Sequence, residues 1–201
     1  MINSHIALGA YKHLAKLSSK KLSKFVEVIG PIEIPNRYGD DALLGLLRII
    51  VGQQISGNAA RSIWNRLTDQ HPDRVNLLIA LRNLDSSITG LSEKKKRTLK
   101  EIATRGDTWL NEIEKEAEDI RGAKLLEIWG LGSWSLAMWE LFVRRDSDIW
   151  SDQDLILRRI SQRFALEDNI NRYELVRSAS PFRSFLSLYC WRFNDAQKKT
   201  N

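Results

Sequence analysis

The stretch from residue 43 to residue 51 narrows the possible folds more than any other part of the sequence. Seven of its nine residues are Leu, Ile or Val, and only Gly45 and Arg48 interrupt them. A helix that is apolar on nearly every side has to be surrounded by other elements, as at the centre of a helical bundle. We therefore predict a buried helix over about residues 40–51.

Helical patterns fill the rest of the chain as well, and no run of residues is a convincing strand. Ser56 and Ser92 each precede a helical pattern, where a serine hydroxyl commonly caps the first turn, and Pro181 is expected in the first turn of the last helix. The sequence predicts an all-α bundle of about ten short helices in two lobes, one from about residues 1–50 and 146–201 and the other from about residues 51–145. The helices after the buried one are expected near residues 56–67, 75–81, 93–105, 107–119, 123–129, 133–143, 153–164, 171–178 and 181–193.

Composition narrows the class of protein further. The 201 residues suffice for one core or for two small lobes that share one. A single cysteine, Cys190, excludes a disulfide framework, a Cys-ligated zinc site and an iron–sulfur cluster held by four cysteines of this chain. The net charge of +6 is compatible with a polyanionic partner. No signal-peptide pattern and no apolar run of the roughly 20 residues that span a bilayer is found, so a reducing, cytosolic setting is expected.

A Gly130-Leu131-Gly132 sequence separates two of the predicted helices. The link is so short that the helices must form a tight hairpin. Glycines leave the backbone N–H groups unshielded, and the second helix adds the positive end of its dipole. Such a turn can bind a phosphate of a nucleic-acid backbone without reading sequence, although an ordinary turn of a helical bundle explains the same pattern.

Asp154 is expected within the first turn of the helix that follows the hairpin helices. Ser151 lies three residues before it, so the pair resembles a capping box, and a carboxylate at this place can simply stabilise the helix N-terminus. Asp152 is the rival acid of the same segment and is predicted to be a capping or secondary acid. Residues 107–119 carry six acids against Lys115 and form, in the simplest interpretation, a solvated face.

Four motifs follow one another along most of the chain. The first is LRIIVGQQIS at residues 47–56, and the second is GLS at residues 90–92. The third is GLG at residues 130–132 with Asp154 about twenty residues on, and the fourth is PFRS at residues 181–184. In this order and spacing they resemble the helix-hairpin-helix (HhH-GPD) DNA glycosylase superfamily, and within it the 3-methyladenine DNA glycosylase II type. The resemblance implies that the chain is a single unit of this fold.

The resemblance implies a hydrolase that flips a damaged nucleotide out of duplex DNA and cleaves its N-glycosidic bond, which starts base excision repair. Asp154 would be the catalytic residue, because a carboxylate stabilises positive charge on the sugar as the base departs. Members that also cut the strand carry a Schiff-base lysine where this chain has Trp134, and an indole cannot form that bond. A monofunctional glycosylase for alkylated purines, such as 3-methyladenine or 7-methylguanine, is therefore expected, without lyase activity.

Three side chains are candidates for the pocket that receives the damaged base. Trp134 lies beside the hairpin, and an aromatic face attracts the positive charge of an alkylated purine. Met138 stands where some members of the superfamily have a pocket tyrosine, and Trp64 is the third candidate. Aromatic residues at helical spacing are more often part of a core, and that alternative stays open.

The resemblance also assigns residues to DNA and to one ion. Gln53 and Gln54 would enter the minor groove and fill the gap left by the flipped base. A monovalent cation, present only with DNA, would be held by the backbone carbonyls of Leu126, Ile128 and Leu131. No other cofactor is expected, and the three histidines are not spaced like metal ligands. The residues expected to bind DNA are Gly130, Leu131, Gly132, Ser133, Gln53, Gln54, Ser56, Lys94 and Arg183.

The expected partner is double-stranded DNA with damaged bases, bound by a monomer, in a bacterial nucleoid or a eukaryotic nucleus and away from membranes. Some positions depart from the superfamily pattern: no proline precedes Asp154, and Ala179 replaces a frequent tryptophan. These departures leave three alternatives open. They are a glycosylase of the same fold for oxidised or mismatched bases, a catalytically silent DNA-binding module, and a helical scaffold for protein partners.

Overall fold

The structure of the protein is a computed structural model that describes residues 2–198. Within that range eleven helices and no strand are found, which confirms the all-α prediction. No helix there is long and apolar enough to cross a membrane. The helices are α1 (Ile2–Leu14), α2 (Lys20–Ile29), α3 (Ala42–Gly52), α4 (Gly57–Gln70), α5 (Arg74–Asn83), α6 (Glu93–Glu114), α7 (Glu118–Leu126), α8 (Ser133–Phe142), α9 (Leu155–Leu166), α10 (Arg172–Ser178) and α11 (Arg183–Lys198).

Helix α3 is the buried helix that the aliphatic run predicts. All seven of its aliphatic residues except Leu44 are fully or almost fully buried, because α3 packs against α4 and α6. Arg48 escapes burial by laying its guanidinium over the rings of Tyr38 and Trp64, at 5.7 and 5.9 Å from the ring centroids. The polar group thus reaches the surface while the rest of the helix stays in the core.

The predicted serine caps are present at both helices. Ser56 Oγ accepts a hydrogen bond from the amide of Ala59 at 3.2 Å, and Ser92 Oγ accepts one from the amide of Lys95 at 3.4 Å. Each hydroxyl satisfies an amide that has no partner inside its helix. The starts of α4 and α6 were therefore readable from the sequence.

The chain divides into two compact units. The first consists of the residues up to Asn36 together with those from Glu140 onwards, and the second of Arg37–Trp139. The first boundary thus falls between residues 36 and 37 rather than near residue 50, since α3 packs on α4 and α6 of the second unit. The second boundary falls inside α8. The glycine hairpin lies in the second unit, and Asp154 lies in the first.

Two local predictions are wrong. The acidic stretch is not one helix over residues 107–119: its first half continues α6 beyond a break at Gly106, which has φ 68° and ψ −166°, and α7 starts anew at Glu118. Pro181 precedes the last helix, because Arg183 is the first residue of α11 and donates its amide to the Asp148 carboxylate. Helices were expected in the N-terminal part of the first lobe, but the bounds of α1 and α2 were not predicted, although Ser19 caps α2 as serines cap α4 and α6.

Candidate nucleic-acid interface and active site

The glycine hairpin of the second unit joins α7 to α8, and its geometry requires Gly130. The φ angle of Gly130 is 84°, in the region that L side chains rarely adopt. A Cβ at this position would lie 2.3 Å from Oγ1 of Thr98, a side chain that donates a hydrogen bond to the carbonyl of Trp129. A Cβ on Gly132 would meet nothing within 4 Å. Gly130 thus shapes the turn, whereas Gly132 keeps its outer side open.

The turn between α3 and α4 is tied to the hairpin. Gln53 donates from Nε2 to the carbonyl of Gly130 at 3.0 Å and to Oγ of Ser135 at 2.7 Å. On the other side, Lys95 donates from Nζ to the carbonyl of Val51 at 2.8 Å, and burial lowers the pKa of this ammonium group. The segment that carries the two glutamines is therefore held in place by polar contacts from α6, α8 and the hairpin.

The two glutamines, which the sequence could not tell apart, have different surroundings. Gln53 is half-buried and engaged by the hairpin, whereas Gln54 is exposed and adopts a positive φ of 57°. A positive φ is uncommon for a residue other than glycine and is typical of a tight turn. Gln54 is thus the glutamine that can reach an external partner.

Basic residues accompany the hairpin on α6. Lys94 is exposed, as is the guanidinium of Arg97, which lies 4.4 Å from the ring centroid of Trp129. Ser133 is exposed at the start of α8, and Ser56 is exposed while its hydroxyl caps α4. The predicted DNA-binding residues of the second unit thus include exposed donors, whereas the side chain of Leu131 is buried beneath the turn. Their contacts with DNA stay a prediction.

The pocket candidates differ in how much surface they offer. Trp64 and Met138 are buried in the second unit, while Trp134 is half-buried. Of the three, Trp134 therefore has the largest face for a ligand, and it follows the hairpin by two residues. The neighbouring Trp139 is fully buried and donates its indole N–H to the carbonyl of Ala42, so it is a core residue.

Asp154, in the first unit, is the N-cap of α9. Its Oδ1 accepts hydrogen bonds from the amides of Ile156 and Leu157, both at 3.0 Å. The predicted capping box is wrong, because the helix begins at Leu155 and Asp154 itself, rather than Ser151, supplies the capping oxygen. The amide of Asp154 donates to the carbonyl of Ser151 at 3.2 Å instead. The first amides of the helix thus orient this carboxylate.

Cys190 of α11 lies close enough to Asp154 for the carboxylate to affect the pKa of its thiol. The thiol is fully buried, and burial together with the Asp154 carboxylate raises its pKa well above the usual range. A thiol that stays protonated is a poor nucleophile. We therefore give Cys190 no chemical role beside Asp154.

Asp152 has a different environment from Asp154, although only one residue separates them. Its Oδ1 accepts hydrogen bonds from the guanidinium of Arg172 at 2.6 Å and from the indole N–H of Trp150 at 3.1 Å. Burial alone would raise the pKa of Asp152, but these partners outweigh it and the pKa is lowered. A carboxylate with a lowered pKa is a weaker base, and Asp152 caps no helix. Of the two roles predicted for Asp152, the capping role is therefore wrong, since Asp152 is an ion-pair partner of Arg172, and the role of a secondary acid stays a prediction.

Arg183 is held by an acid of its own unit. Its Nε and Nη2 donate to the two carboxylate oxygens of Asp148 at 2.8 and 2.9 Å. Burial would raise the pKa of Asp148, but the hydrogen bonds from Arg183 and Ser180 lower it below its ordinary value. The pair fixes the start of α11, and the predicted phosphate contact of Arg183 stays a prediction.

Within residues 2–198, no three His, Cys, Asp or Glu side chains come together as a metal site would require. The hydrogen bonds of the hairpin carbonyls bear on the predicted monovalent cation. The carbonyls of Trp129 and Gly130 accept hydrogen bonds from Thr98 and Gln53. That of Ile128 accepts from the Leu131 amide at 3.1 Å, which leaves its second lone pair available. These side chains thus bind the two carbonyls that lie between the predicted cation ligands.

Comparisons with known proteins extend these observations. No protein-family model matches the chain. Two relatives from Schizosaccharomyces pombe are similar over nearly its whole length. The alkylbase DNA glycosidase-like protein mag2 is 26% identical over 94% of this chain and 95% of its own, and DNA-3-methyladenine glycosylase 1 is 27% identical over 90% of this chain and 84% of its own.

A solved structure shares the fold. The S. pombe 3-methyladenine DNA glycosylase Mag1, in complex with abasic DNA, superposes with a TM-score of 0.76 and 24% identity. The match covers 92% of this chain and 95% of that one. The fold is therefore that of an all-α DNA glycosylase. The resemblance that the four motifs predict is confirmed by these two relatives, one named for alkylated bases and one for 3-methyladenine, over almost the entire chain.

Proposed function

We propose that the protein is a monofunctional DNA glycosylase that removes alkylated purines, of the 3-methyladenine and 7-methylguanine type, from duplex DNA. The observation that carries this proposal is Asp154, a carboxylate fixed at a helix N-terminus by two backbone amides. Relatives named for alkylated bases and for 3-methyladenine support the substrate class. The substrate assigns the protein to the compartment of the genome, a bacterial nucleoid or a eukaryotic nucleus.

Hydrolysis begins with a nucleotide turned out of the helix. Unstacking costs a few kcal/mol and costs least for a damaged base, which already pairs poorly. As the bond between the sugar and the base breaks, the bonding electrons leave with the base and positive charge develops on the sugar. Asp154 stabilises that charge and orients the attacking water, whose oxygen bonds to the sugar while its proton passes to the Asp154 carboxylate. The products are a free purine and an abasic site in an intact strand.

The hairpin holds the DNA backbone through amides rather than charged side chains. The open space at Gly132 lets a phosphate approach the N-terminus of α8, where amide dipoles favour a negative charge. The backbone carbonyls of Leu126, Ile128 and Leu131 would hold a monovalent cation, which would supply positive charge for binding a phosphate. Thr98 and Gln53 bind the carbonyls of Trp129 and Gly130, which are not among these ligands.

Two further residues complete the proposal. Gln54, exposed at the tip of its turn, fills the space left by the flipped base, where an amide can donate to or accept from the opposite base. Trp134 stacks on the damaged base and attracts its positive charge. As Trp134 also stands where a Schiff-base lysine would be needed, no strand cleavage accompanies base release.

The proposal is tested by analysing both products of one reaction. Purified protein is incubated with alkylated duplex DNA, and released bases and strand lengths are measured before and after alkali. We expect free methylpurines and strands that break only after alkali, with no release by Asp154→Asn and persisting release by the matched control Asp152→Asn. Binding of the DNA without release of any base would instead identify a silent binding module. Release of oxidised bases only would identify a different lesion class.

A further inference from the structure

A cleft of about 590 Å³ opens in the first unit, between α9 and the start of α10. Three arginines contribute to its wall, and no acidic residue does. The cleft lies next to Asp154 along the chain, because Leu155, which lines it, is the first residue of α9 and directly follows Asp154. The lining residues are Leu155, Ile156, Arg158, Arg159, Gln162, Arg172 and Tyr173.

The charges of this arginine cleft are only partly neutralised. Arg172 is bonded to Asp152 and lies over the ring of Tyr173, 4.2 Å from its centroid. Arg159 donates from Nη2 to Oδ1 of Asn194 at 2.5 Å, an amide that carries no charge. Arg158 is exposed and acts electrostatically on Asp152, whose carboxylate Arg172 already holds. Among the described residues, Arg172 is the one of the three arginines that has an ion pair, so an anion is favoured at the cleft.

The apolar residues at the rim point to the kind of anion. The side chains of Leu155 and Tyr173 are 69% and 67% exposed, beside the guanidinium groups. Exposed apolar side chains interleaved with arginines suit a nucleic-acid backbone, whose phosphates bind cations and whose sugars and bases pack on apolar or aromatic faces. A free inorganic anion has no apolar part that could pack on these two exposed side chains.

We propose that the arginine cleft binds a phosphodiester of the DNA strand that carries the damaged nucleotide. This proposal rests on the proposed function, which brings that nucleotide to Asp154. Arg158 lies four residues further along α9, about 6 Å along the helix axis at 1.5 Å per residue. Successive phosphates of one strand are about 3.4 Å apart along the duplex axis. Arg158 is thus placed to meet a phosphate one or two nucleotides from the lesion.

The first test measures the salt dependence of binding. Arg158→Gln removes the charge of an exposed residue, and Arg163→Gln is the matched control on the same helix, outside the cleft and ion-paired with Glu167. The dissociation constant for duplex DNA with a central abasic-site analogue is measured from 50 to 300 mM KCl. One lost phosphate contact lowers the slope of log K against log salt by about 0.9. We expect this change, and affinity weaker by about fivefold, for Arg158→Gln alone.

A second measurement identifies the phosphate. Phosphates flanking the abasic site are replaced singly by neutral methylphosphonates, and each duplex is bound by the wild type and by Arg158→Gln. One substitution within two nucleotides of the site should weaken wild-type binding severalfold and leave Arg158→Gln binding unchanged. If every methylphosphonate has the same effect on both proteins, or if the salt slope of Arg158→Gln equals that of the wild type, the cleft does not bind DNA and an acidic protein segment becomes the better occupant.

Base release in the same preparations separates the two proposals. Methylpurine release by the wild type together with an unchanged salt slope would overturn the arginine cleft alone. A lowered slope without any base release would support the cleft and overturn the proposed enzyme.

Discussion

The hairpin of the second unit and the start of α9 in the first unit differ in the kind of group that they offer to a ligand. The hairpin offers neutral backbone groups, braced by the neutral side chains of Thr98 and Gln53. The start of α9 is rich in charge, with Asp152, Asp154 and three arginines in one short segment and its cleft. Backbone amides suit a ligand that must be held at any sequence, whereas charge stabilisation at a reacting sugar needs a fixed carboxylate. The comparison suggests that one unit holds the strand and the other carries out the chemistry.

The largest effect on stability is expected at the hairpin glycine. Gly130→Ala places a Cβ 2.3 Å from Oγ1 of Thr98 at a φ of 84°, so both the contact and the backbone are strained. We expect a loss of about 2–4 kcal/mol in the free energy of unfolding, measured with urea. Gly132→Ala, the control, faces open space and should cost about 1 kcal/mol or less. Equal losses for both variants would mean that Gly130 does not shape the turn.

Substitutions of the two acids at the start of α9 should have different effects on stability. Asp152→Asn leaves the nearly buried guanidinium of Arg172 without its ion pair, and we expect about 1–2 kcal/mol of destabilisation, since Asp152 itself is 49% exposed. Asp154→Asn keeps an oxygen that can cap α9, so its stability should stay within about 0.5 kcal/mol of the wild type. Thermal and urea unfolding of both variants check this order. A larger loss for Asp154→Asn would reverse the roles of the two acids.

Substitutions of the two adjacent glutamines test which of them stabilises the hairpin. Gln53→Ala removes hydrogen bonds to Gly130 and Ser135, and we expect a loss of about 1–2 kcal/mol in stability together with weaker DNA binding. Gln54→Ala should leave stability within about 0.5 kcal/mol, because its side chain is exposed. Base release from well-paired lesions should nevertheless fall for Gln54→Ala. If the two variants behave alike, the assignment of bracing to Gln53 and contact to Gln54 is wrong.

The last prediction is a dependence of stability on alkaline pH. Tyr189 donates its hydroxyl to the carbonyl of Gly30 at 2.8 Å, and burial raises its pKa to about 12. Because the folded pKa lies above the unfolded value near 10, its contribution to stability is complete below pH 10 and is lost as the pH rises towards 12. Tyr189→Phe should therefore flatten the fall in stability between pH 10 and 12. An unchanged alkaline profile would show that Tyr189 does not limit it.

Local sequence patterns were enough for much of this account. The aliphatic run predicts α3 as the buried helix, and serines before helical patterns predict the starts of α4 and α6. Gly130 and Gly132 locate the hairpin because a short turn between helices has few other solutions. Each of these predictions depends on residues only a few positions apart, where the sequence fixes the local geometry.

The features that could not be predicted from the sequence depend on contacts between residues far apart in the chain. The hydrogen bond from Gln53 joins residues 77 positions apart, and the ion pair of Asp152 with Arg172 spans 20 positions. Without these partners, Gln53 resembled Gln54, and Asp152 looked like a capping acid. The arginines of the cleft were missed for the same reason, since Arg158 and Arg172 become neighbours only when α9 meets α10.

The central claim is that the charge of Asp154, held by the first amides of α9, drives base release. The most direct measurement is the single-turnover rate of methylpurine release by the wild type, Asp154→Asn and Asp152→Asn, with binding of abasic-analogue DNA measured in parallel. We predict a rate at least about 10²-fold lower for Asp154→Asn with binding nearly unchanged, and a rate within about tenfold of the wild type for Asp152→Asn. A rate for Asp154→Asn close to that of the wild type would contradict the account.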